Sequence, residues 1–265
     1  GGRRIIKKKN TDDTNGGEEL YKFTACVAEA NTPPEATNTT QTIGYLEDDA
    51  SVPLAPAIVV TDPDDGESIT ASMTLADTAT GSLSSSDGVY TPGTGVWTIT
   101  GSVSVVNTAL ANLVFLPAVD NAADTTIDVH IADGGEDGAG PVTGTLTLDA
   151  TPVNDAPSIT LGGDQTVDED SGVQAVAGFA SGFHPGGGAD ESGQSIDDFL
   201  VSNDNNGLFI VQPDIDIAGQ LTYTSAPDAA GSATVTVQVR DSGGTLNGGV
   251  DTSVAQTFLD RKSVV

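Results

Sequence analysis

The chain has 265 residues and a formal net charge of −29, because 38 Asp and Glu side chains face only 9 Lys and Arg. Such a charge excludes nucleic acid and an anionic membrane surface as partners, since both would repel the protein. The single cysteine, Cys26, excludes an intramolecular disulfide. No segment has the pattern of a signal peptide or a membrane span, so we expect no membrane insertion.

The positions and types of the charged residues indicate what could balance the negative charge. Residues 23–260 contain one basic side chain, Arg240, so ordinary ion pairs cannot balance the carboxylates of this span. The sequence therefore predicts either bound divalent cations or a salt-rich environment in which the acids hydrate the surface. The acids are 29 Asp and 9 Glu, and Asp is both a common turn residue and a compact oxygen ligand for hard cations.

Two proline-containing joints divide the chain. They lie at residues 31–35 (NTPPE) and 152–157 (PVNDAP), and proline stiffens such linkers because it fixes φ. We therefore expect an N-terminal linker or artefactual segment at 1–30, a first module at 31–154 and a second module at 155–259. These two units are called module one and module two below.

The two modules repeat each other. Leu113–Asp133 aligns without a gap with Leu221–Asp241, and the pair Glu47-Asp48 recurs upstream of the second segment as Glu169-Asp170. Both aligned segments alternate apolar and polar residues with the period of two that is typical of half-buried strands, and no long stretch has helical spacing. Gly- and Asp-rich turns separate several such strands in each module. The prediction is an all-β protein of two tandem β-sandwich modules.

The last six residues differ in character from what precedes them. Residues 260–265 (DRKSVV) bring two basic side chains into an acidic chain, and a common short-read sequencing adaptor would encode the same six residues. We therefore expect module two to be truncated at 259 and to be followed by a non-native tail.

Several motifs recur together and in order: VNDAPS at 153–158, the Glu-Asp pairs at 47–48 and 169–170, Asp-Pro-Asp at 62–64, and closing strands that end at Asp133 and Asp241. On these motifs, residues 31–258 resemble the cadherin-like tandem repeats of large bacterial surface adhesins and RTX-type secreted proteins. The resemblance implies immunoglobulin-like (cadherin-like) β-sandwiches whose joints are rigidified by calcium. It also implies an extracellular or cell-surface location and a role in cell adhesion.

The resemblance further implies a set of Ca²⁺ ligands. For the joint at 153–157 they are Glu47 and Asp120 of module one, Asn154 and Asp155 of the linker, and Asp190, Glu191 and Asp241 of module two. For the preceding joint they are Asp62, Asp64 and Asp133. Two departures weaken the match: the first joint lacks a linker Asp, and module two carries Asp190-Glu191 in a Gly-rich loop where module one has Asp-x-Asp.

The remaining motifs favour a structural role. The chain has two histidines, His130 and His184, and lacks the sequence signatures of a nucleophilic or metal-dependent hydrolase, so we expect no enzyme. The expected partners are neighbouring repeats of the same chain and an unidentified cell-surface or matrix ligand. The alternative is an accessory, carbohydrate-binding β-domain of a secreted hydrolase, which would need an exposed aromatic strip. Aromatic residues make up only 5% of the chain, and we expect Tyr45, Tyr90, Trp97 and Tyr223 to fill the cores.

Overall fold

The structure is a computed structural model and describes residues 32–64, 66–134 and 140–264. Within these residues the strands form two groups of sheets that share no strand, and each group encloses its own hydrophobic core. The predicted fold class is therefore confirmed: the chain is all-β and folds as two sandwich modules. The segment 1–30, expected to be a linker or an artefact, lies outside the described residues.

In the described residues of module one there are eleven strands and one α-helix. They are β1 (Glu35–Thr37), β2 (Gln41–Leu46), β3 (Val52–Pro53), β4 (Val59–Thr61), β5 (Ile69–Leu75), β6 (Gly81–Ser84), β7 (Val89–Thr91), β8 (Val96–Gly101), α1 (Val103–Ala111), β9 (Val114–Pro117), β10 (Thr125–Ala132) and β11 (Val142–Thr151). A six-stranded sheet has the order β2-β11-β10-β5-β8-β7, a three-stranded sheet has the order β3-β9-β6, and β1 pairs with β4.

Helix α1 was not expected from the sequence. Ser102 caps its N-terminus by accepting a hydrogen bond from the Val105 N–H, and the helix buries Val106, Ala109 and Leu110 on the module one core. The side chain of Asn107 then pairs with the backbone of Val60 in β4, donating to its carbonyl and accepting from its N–H, both at 2.8 Å. The helix thus covers the edge of β4, which would otherwise expose unpaired backbone groups.

Module two contains nine strands. They are β12 (Ser158–Leu161), β13 (Gln165–Asp168), β14 (Val173–Val176), β15 (Ala180–His184), β16 (Ile196–Asn203), β17 (Phe209–Ile215), β18 (Leu221–Ser225), β19 (Gly231–Asp241) and β20 (Gln256–Ser263). A four-stranded sheet has the order β13-β20-β19-β16, a three-stranded sheet has the order β14-β18-β17, and β12 pairs with β15.

The two modules share a topology as well as a sequence pattern. In each, the closing strand lies between a parallel strand and an antiparallel one: β11 between β2 and β10, and β20 between β13 and β19. The period-two prediction holds for the central strands, because alternate side chains of β5, β10 and β19 are buried. Three of the four aromatic residues expected in the cores are buried, at 1 to 5% exposure: Tyr45, Trp97 and Tyr223. Tyr90 is half-buried and packs on the module one core.

The closing strand of module two continues past the expected boundary at 259. Strand β20 ends at Ser263 and buries Asp260 and Lys262, which form an ion pair at 2.7 Å. In the aligned strand of module one, β11, the corresponding inward positions hold Leu148 and Ala150. A non-native tail would account for a charged pair at positions that the repeat fills with apolar residues, and this origin of residues 260–265 stays a prediction.

No helix in the described parts of the chain is long and apolar enough to cross a membrane.

Candidate metal site at the joint between the modules

The parallel pairing of β2 and β11 brings Glu47 to the joint. Leu46 lies opposite Thr151 at the end of this pair, and the Glu47 N–H donates a hydrogen bond to the Thr151 carbonyl at 3.2 Å. The linker to module two begins at the next residue, Pro152. Glu47 therefore stands where the chain leaves module one, and its side chain is 1% exposed.

The Glu47 carboxylate meets two other acids at this place. One carboxylate oxygen from each of Glu47, Asp48 and Asp155 lies within 4.8 Å of the others. Within the described residues, Oδ2 of Asp155 is buried and has no hydrogen-bond partner. Both Glu47 oxygens are buried as well, and the Val153 backbone N–H is the one donor that acts on them there. Buried carboxylate oxygens normally have a partner, so this group requires either protons or a cation.

Module two contributes two more acids from a short 3-10 helix, Asp190–Gly193. Glu191 is 1% exposed, and its Oε1 accepts a hydrogen bond from the Asp155 N–H at 2.5 Å. Its other oxygen, Oε2, is buried and has no hydrogen-bond partner among the described residues. The linker backbone is thus bound to module two by a side chain whose second oxygen faces the cluster of acids.

Burial and the neighbouring charges change the titration of Glu47 and Asp155. The pKa of Glu47 is raised to about 7, chiefly by burial. A hydrogen bond from the Val153 backbone lowers it in part, and the charges of Asp190, Asp48 and Asp155 add to the rise. Burial also raises the pKa of Asp155 to about 6, together with the charges of Asp48, Asp120, Glu191 and Asp190. Arg240 does not relieve this repulsion, because it pairs with Asp197 and Asp198.

Carboxylates from both modules therefore act on Glu47 or on the linker acid Asp155, which makes a group of six: Glu47, Asp48, Asp120, Asp155, Asp190 and Glu191. Hard divalent cations prefer this kind of all-oxygen, multiply charged donor set. Together with the buried unpartnered oxygens, the donor chemistry fits Ca²⁺.

Asn154 and Asp241, also predicted as ligands, lie at the same joint and bind each other. The Asn154 amide donates to Oδ1 of Asp241 at 3.2 Å and to the Val250 carbonyl at 2.9 Å, and its oxygen accepts from Gln194 at 2.7 Å. Asp241 is 3% exposed, and its Oδ2 has no hydrogen-bond partner among the described residues. The Asn154 side chain therefore fixes the linker to module two, while Asp241 keeps one oxygen available.

The acids predicted for the preceding joint lie at the other end of module one. Oxygens of Asp62, Glu67 and Asp133 lie within 4.8 Å of one another. Asp64 is bound close by: its N–H donates to Oδ1 of Asp62 at 2.8 Å, and its Oδ2 accepts from the Thr32 N–H at 2.6 Å.

Sequence reasoning named neither Asp48 nor Glu67 as a ligand. The recurrence of Glu47-Asp48 as Glu169-Asp170 was an available signal for Asp48. For Glu67, the nearest signal was its place in the acidic segment between Asp62 and β5.

The acids at the joint recur in module two. Asp228, the aligned counterpart of Asp120, has the same φ of 52° and donates its N–H to Asp170 Oδ1 at 3.3 Å. The Glu169 N–H donates to the Ser263 carbonyl, as the Glu47 N–H does to Thr151. Both modules therefore present three acids at the same end of the sandwich.

No protein-family model and no curated protein sequence matches the chain. Among solved structures it is similar to Drosophila N-cadherin EC1-4, at 15% identity and a TM-score of 0.46, over 89% of this chain and 50% of that chain. It is also similar to human protocadherin-24 EC1-2, at 14% identity and a TM-score of 0.49, over 88% of this chain and 100% of that chain. A third similar structure is human CDH23 EC21-23, at 12% identity and a TM-score of 0.48, over 87% of this chain and 63% of that chain. The structural neighbours are thus cadherin extracellular repeats, and the likeness concerns the fold alone.

Proposed function

We propose that the two modules are calcium-stiffened structural repeats of a large extracellular or cell-surface bacterial protein that mediates adhesion. The observation that carries the proposal is the convergence of acids from module one, the linker and module two, among which Oδ2 of Asp155 and Oε2 of Glu191 are buried without a hydrogen-bond partner in the described part of the chain. Such a group is destabilising on its own and becomes favourable when a cation is shared among its members.

The stiffening follows from where the acids are attached. Glu47 and Asp48 belong to module one, Asp155 to the linker, and Asp190 and Glu191 to module two. Bound calcium would supply the positive charge that this end of the chain lacks. Because the ligands come from both sides of the linker, holding them together restricts the rotation of one module against the other, whereas their repulsion opens the joint when the ion is removed.

Weak binding would suffice for this role. Extracellular calcium modules have dissociation constants of about 10⁻⁴ to 10⁻³ M. An ion that is 100-fold above its dissociation constant stabilises the folded state by about 2.7 kcal/mol. That is a large part of the roughly 5–15 kcal/mol by which a domain is stable.

The recurrence of the acids supports a role in a tandem array. The end of module two formed by Glu169, Asp170 and Asp228 repeats the end of module one formed by Glu47, Asp48 and Asp120. We infer that neighbouring repeats of the same kind are the immediate partners. The bacterial, adhesin and RTX context rests on the sequence motifs that resemble those repeats.

The alternative role in carbohydrate binding has no support in the described residues. A sugar-binding platform needs exposed aromatic faces, but Trp97 and most of the other aromatic side chains are buried in the two cores. We therefore do not extend the proposal to carbohydrate.

The test is a calorimetric calcium titration combined with small-angle scattering of the full chain. We expect chelation to broaden the distribution of molecular shapes and calcium to narrow it. Asp155→Asn should raise the calcium dissociation constant roughly 10-fold or more, since fewer ligand charges weaken such a site.

Asp77→Asn is the matched control, because Asp77 is an exposed turn residue of module one that accepts a hydrogen bond from the Ala79 N–H. It should leave the calcium affinity unchanged. Identical scattering with and without calcium would refute the proposal, as would equal effects of the two substitutions.

A further inference from the structure

A run of three glycines, Gly186, Gly187 and Gly188, lies directly before the acids that module two brings to the joint. It follows His184, the last residue of β15, and precedes the short helix that carries Asp190 and Glu191. The His184 ring fixes the start of the run, since its Nδ1 accepts a hydrogen bond from the Gly186 N–H at 3.2 Å. The position of this run therefore determines where the two acids stand.

The first two glycines pack against the linker. A Cβ on Gly186 would lie 2.7 Å from the Asp155 carbonyl oxygen, and the φ of Gly186 is +128°, a conformation that side chains disfavour. A Cβ on Gly187 would overlap Oδ2 of Asp155 and would come to 3.1 Å from Oε2 of Glu191. Only hydrogen atoms fit between this part of the run and the linker acid.

The third glycine packs against module one. A Cβ on Gly188 would overlap the backbone carbonyl oxygen of Asp120 and would lie 3.2 Å from its carbonyl carbon. Asp120 itself is held in a left-handed conformation, with a φ of 52°. Because both partners at this contact are backbone, neither can rotate away, as a side chain could.

We propose that the glycine run 186–188 is the contact surface that sets the distance between the two modules, and that it thereby positions Asp190 and Glu191 against the acids of module one. The inference rests on the proposed function for the identity of the ion, whereas the contacts that carry it are between protein atoms alone. Metal-binding groups must be held to within about 0.5 Å of their productive positions. A single methyl group at Gly188 would separate the modules by more than this.

Three single substitutions in the full chain test the proposal. Gly188→Ala meets backbone, and Gly187→Ala meets the rotatable carboxylate of Asp155. Gly193→Ala is the matched control, because Gly193 ends the short helix that follows the run and no atom lies within 4 Å of its Cβ position. Calcium affinity is measured by calorimetry. The distance between the modules is measured by pulsed electron resonance between spin labels at Thr143→Cys and Ser202→Cys, in a Cys26→Ser background.

We expect Gly188→Ala to raise the calcium dissociation constant roughly 10- to 100-fold, as changes to the groups that support a metal site do. It should also broaden or lengthen the label distance, with and without calcium. Gly187→Ala should have a smaller effect and Gly193→Ala none. Because the predicted result is a rank order, the proposal remains testable by Gly187→Ala if Gly188→Ala fails to fold.

Two results would overturn the proposal: wild-type affinity and distance in Gly188→Ala, or an equal loss in Gly193→Ala, which would indicate that loop flexibility matters and not contact. A wild-type chain that binds no calcium would instead contradict the proposed function. In that case the glycine proposal is still decided in calcium-free buffer, by whether the label distance in Gly188→Ala is longer or broader than in the wild type.

Discussion

At the scale of single residues, the protonation of Glu47 and Asp155 connects the joint to pH. Their pKa values rise, to about 7 and about 6, because burial disfavours the carboxylate and the neighbouring acids add repulsion. No Lys or Arg of the described residues pairs with these two groups, so without a cation protons serve as their counter-charge there. Stability and pH should therefore be linked.

The sign of this linkage is opposite to that of ordinary acid denaturation. The folded chain holds protons on Glu47 and Asp155 at pH values where the unfolded chain, with ordinary values of 4.5 and 3.8, has released them. In chelator, the free energy of unfolding should therefore fall as the pH rises from about 4 to about 7, and level off above that. Thermal melts at pH 5.5 and 7.5 check this, with the higher melting temperature expected at pH 5.5.

Calcium should reverse the order by stabilising the ionised carboxylates, with its largest effect at pH 7.5 because protons compete for the ligands below that. Glu47→Gln should flatten the dependence in chelator, whereas Asp77→Asn should leave it as in the wild type. A melting temperature that rises with pH in chelator would contradict the raised pKa values of Glu47 and Asp155.

The sequence predicted most of the residues at the joint but not what each one does. Asp155 lies in the Pro-containing linker itself, and the resemblance to cadherin-like repeats added Glu47 and Glu191. The same resemblance named Asn154 as a ligand, which stays a prediction, but it did not indicate that the Asn154 side chain binds Asp241, Gln194 and Val250. That arrangement depends on β19 and the loop after it reaching the linker, which no local pattern encodes.

At the scale of elements, the alternation of apolar and polar residues predicted the strands, but it gave no indication of helix α1. Val103, Val106, Ala109 and Leu110 follow helical spacing after the capping Ser102, over only nine residues. Such a short helix is stabilised by packing more than by its own propensity, so its sequence signal is weak. Its function here is to cover β4 through Asn107.

The closing strand of module two provides a prediction about stability. The Asp260–Lys262 pair is buried, with side chains at 1% and 0% exposure, and the Lys262 Nζ lies 4.5 Å from the Phe209 ring. Removing one partner of a buried pair costs about 3–5 kcal/mol, whereas replacing both by apolar residues is often neutral or stabilises by about 1–4 kcal/mol. Lys262→Met should therefore destabilise the chain strongly.

The double substitution Asp260→Leu with Lys262→Ala restores the residues that module one has at these positions, and it should recover or exceed the wild-type stability. Urea unfolding in chelator measures both variants without interference from the joint. A double variant as unstable as the single one would show that module two does not tolerate the packing of module one here.

At the scale of the whole molecule, the chain repeats one device: a sandwich that carries acids at both of its ends. Module one has Asp62, Glu67 and Asp133 at one end and Glu47, Asp48 and Asp120 at the other. The joint is the place where one such end meets the linker and a second module. Repeats of this kind transmit stiffness along a chain only if each joint is held closed, and in the function proposed above a cation holds it closed.

The most direct measurement is a crystal structure grown in millimolar calcium, with anomalous diffraction to identify the ion. We predict anomalous density between Glu47, Asp155 and Glu191, with their buried oxygens turned towards it. Ordered acids surrounding an empty site, or side chains turned into solvent at that calcium concentration, would contradict the account.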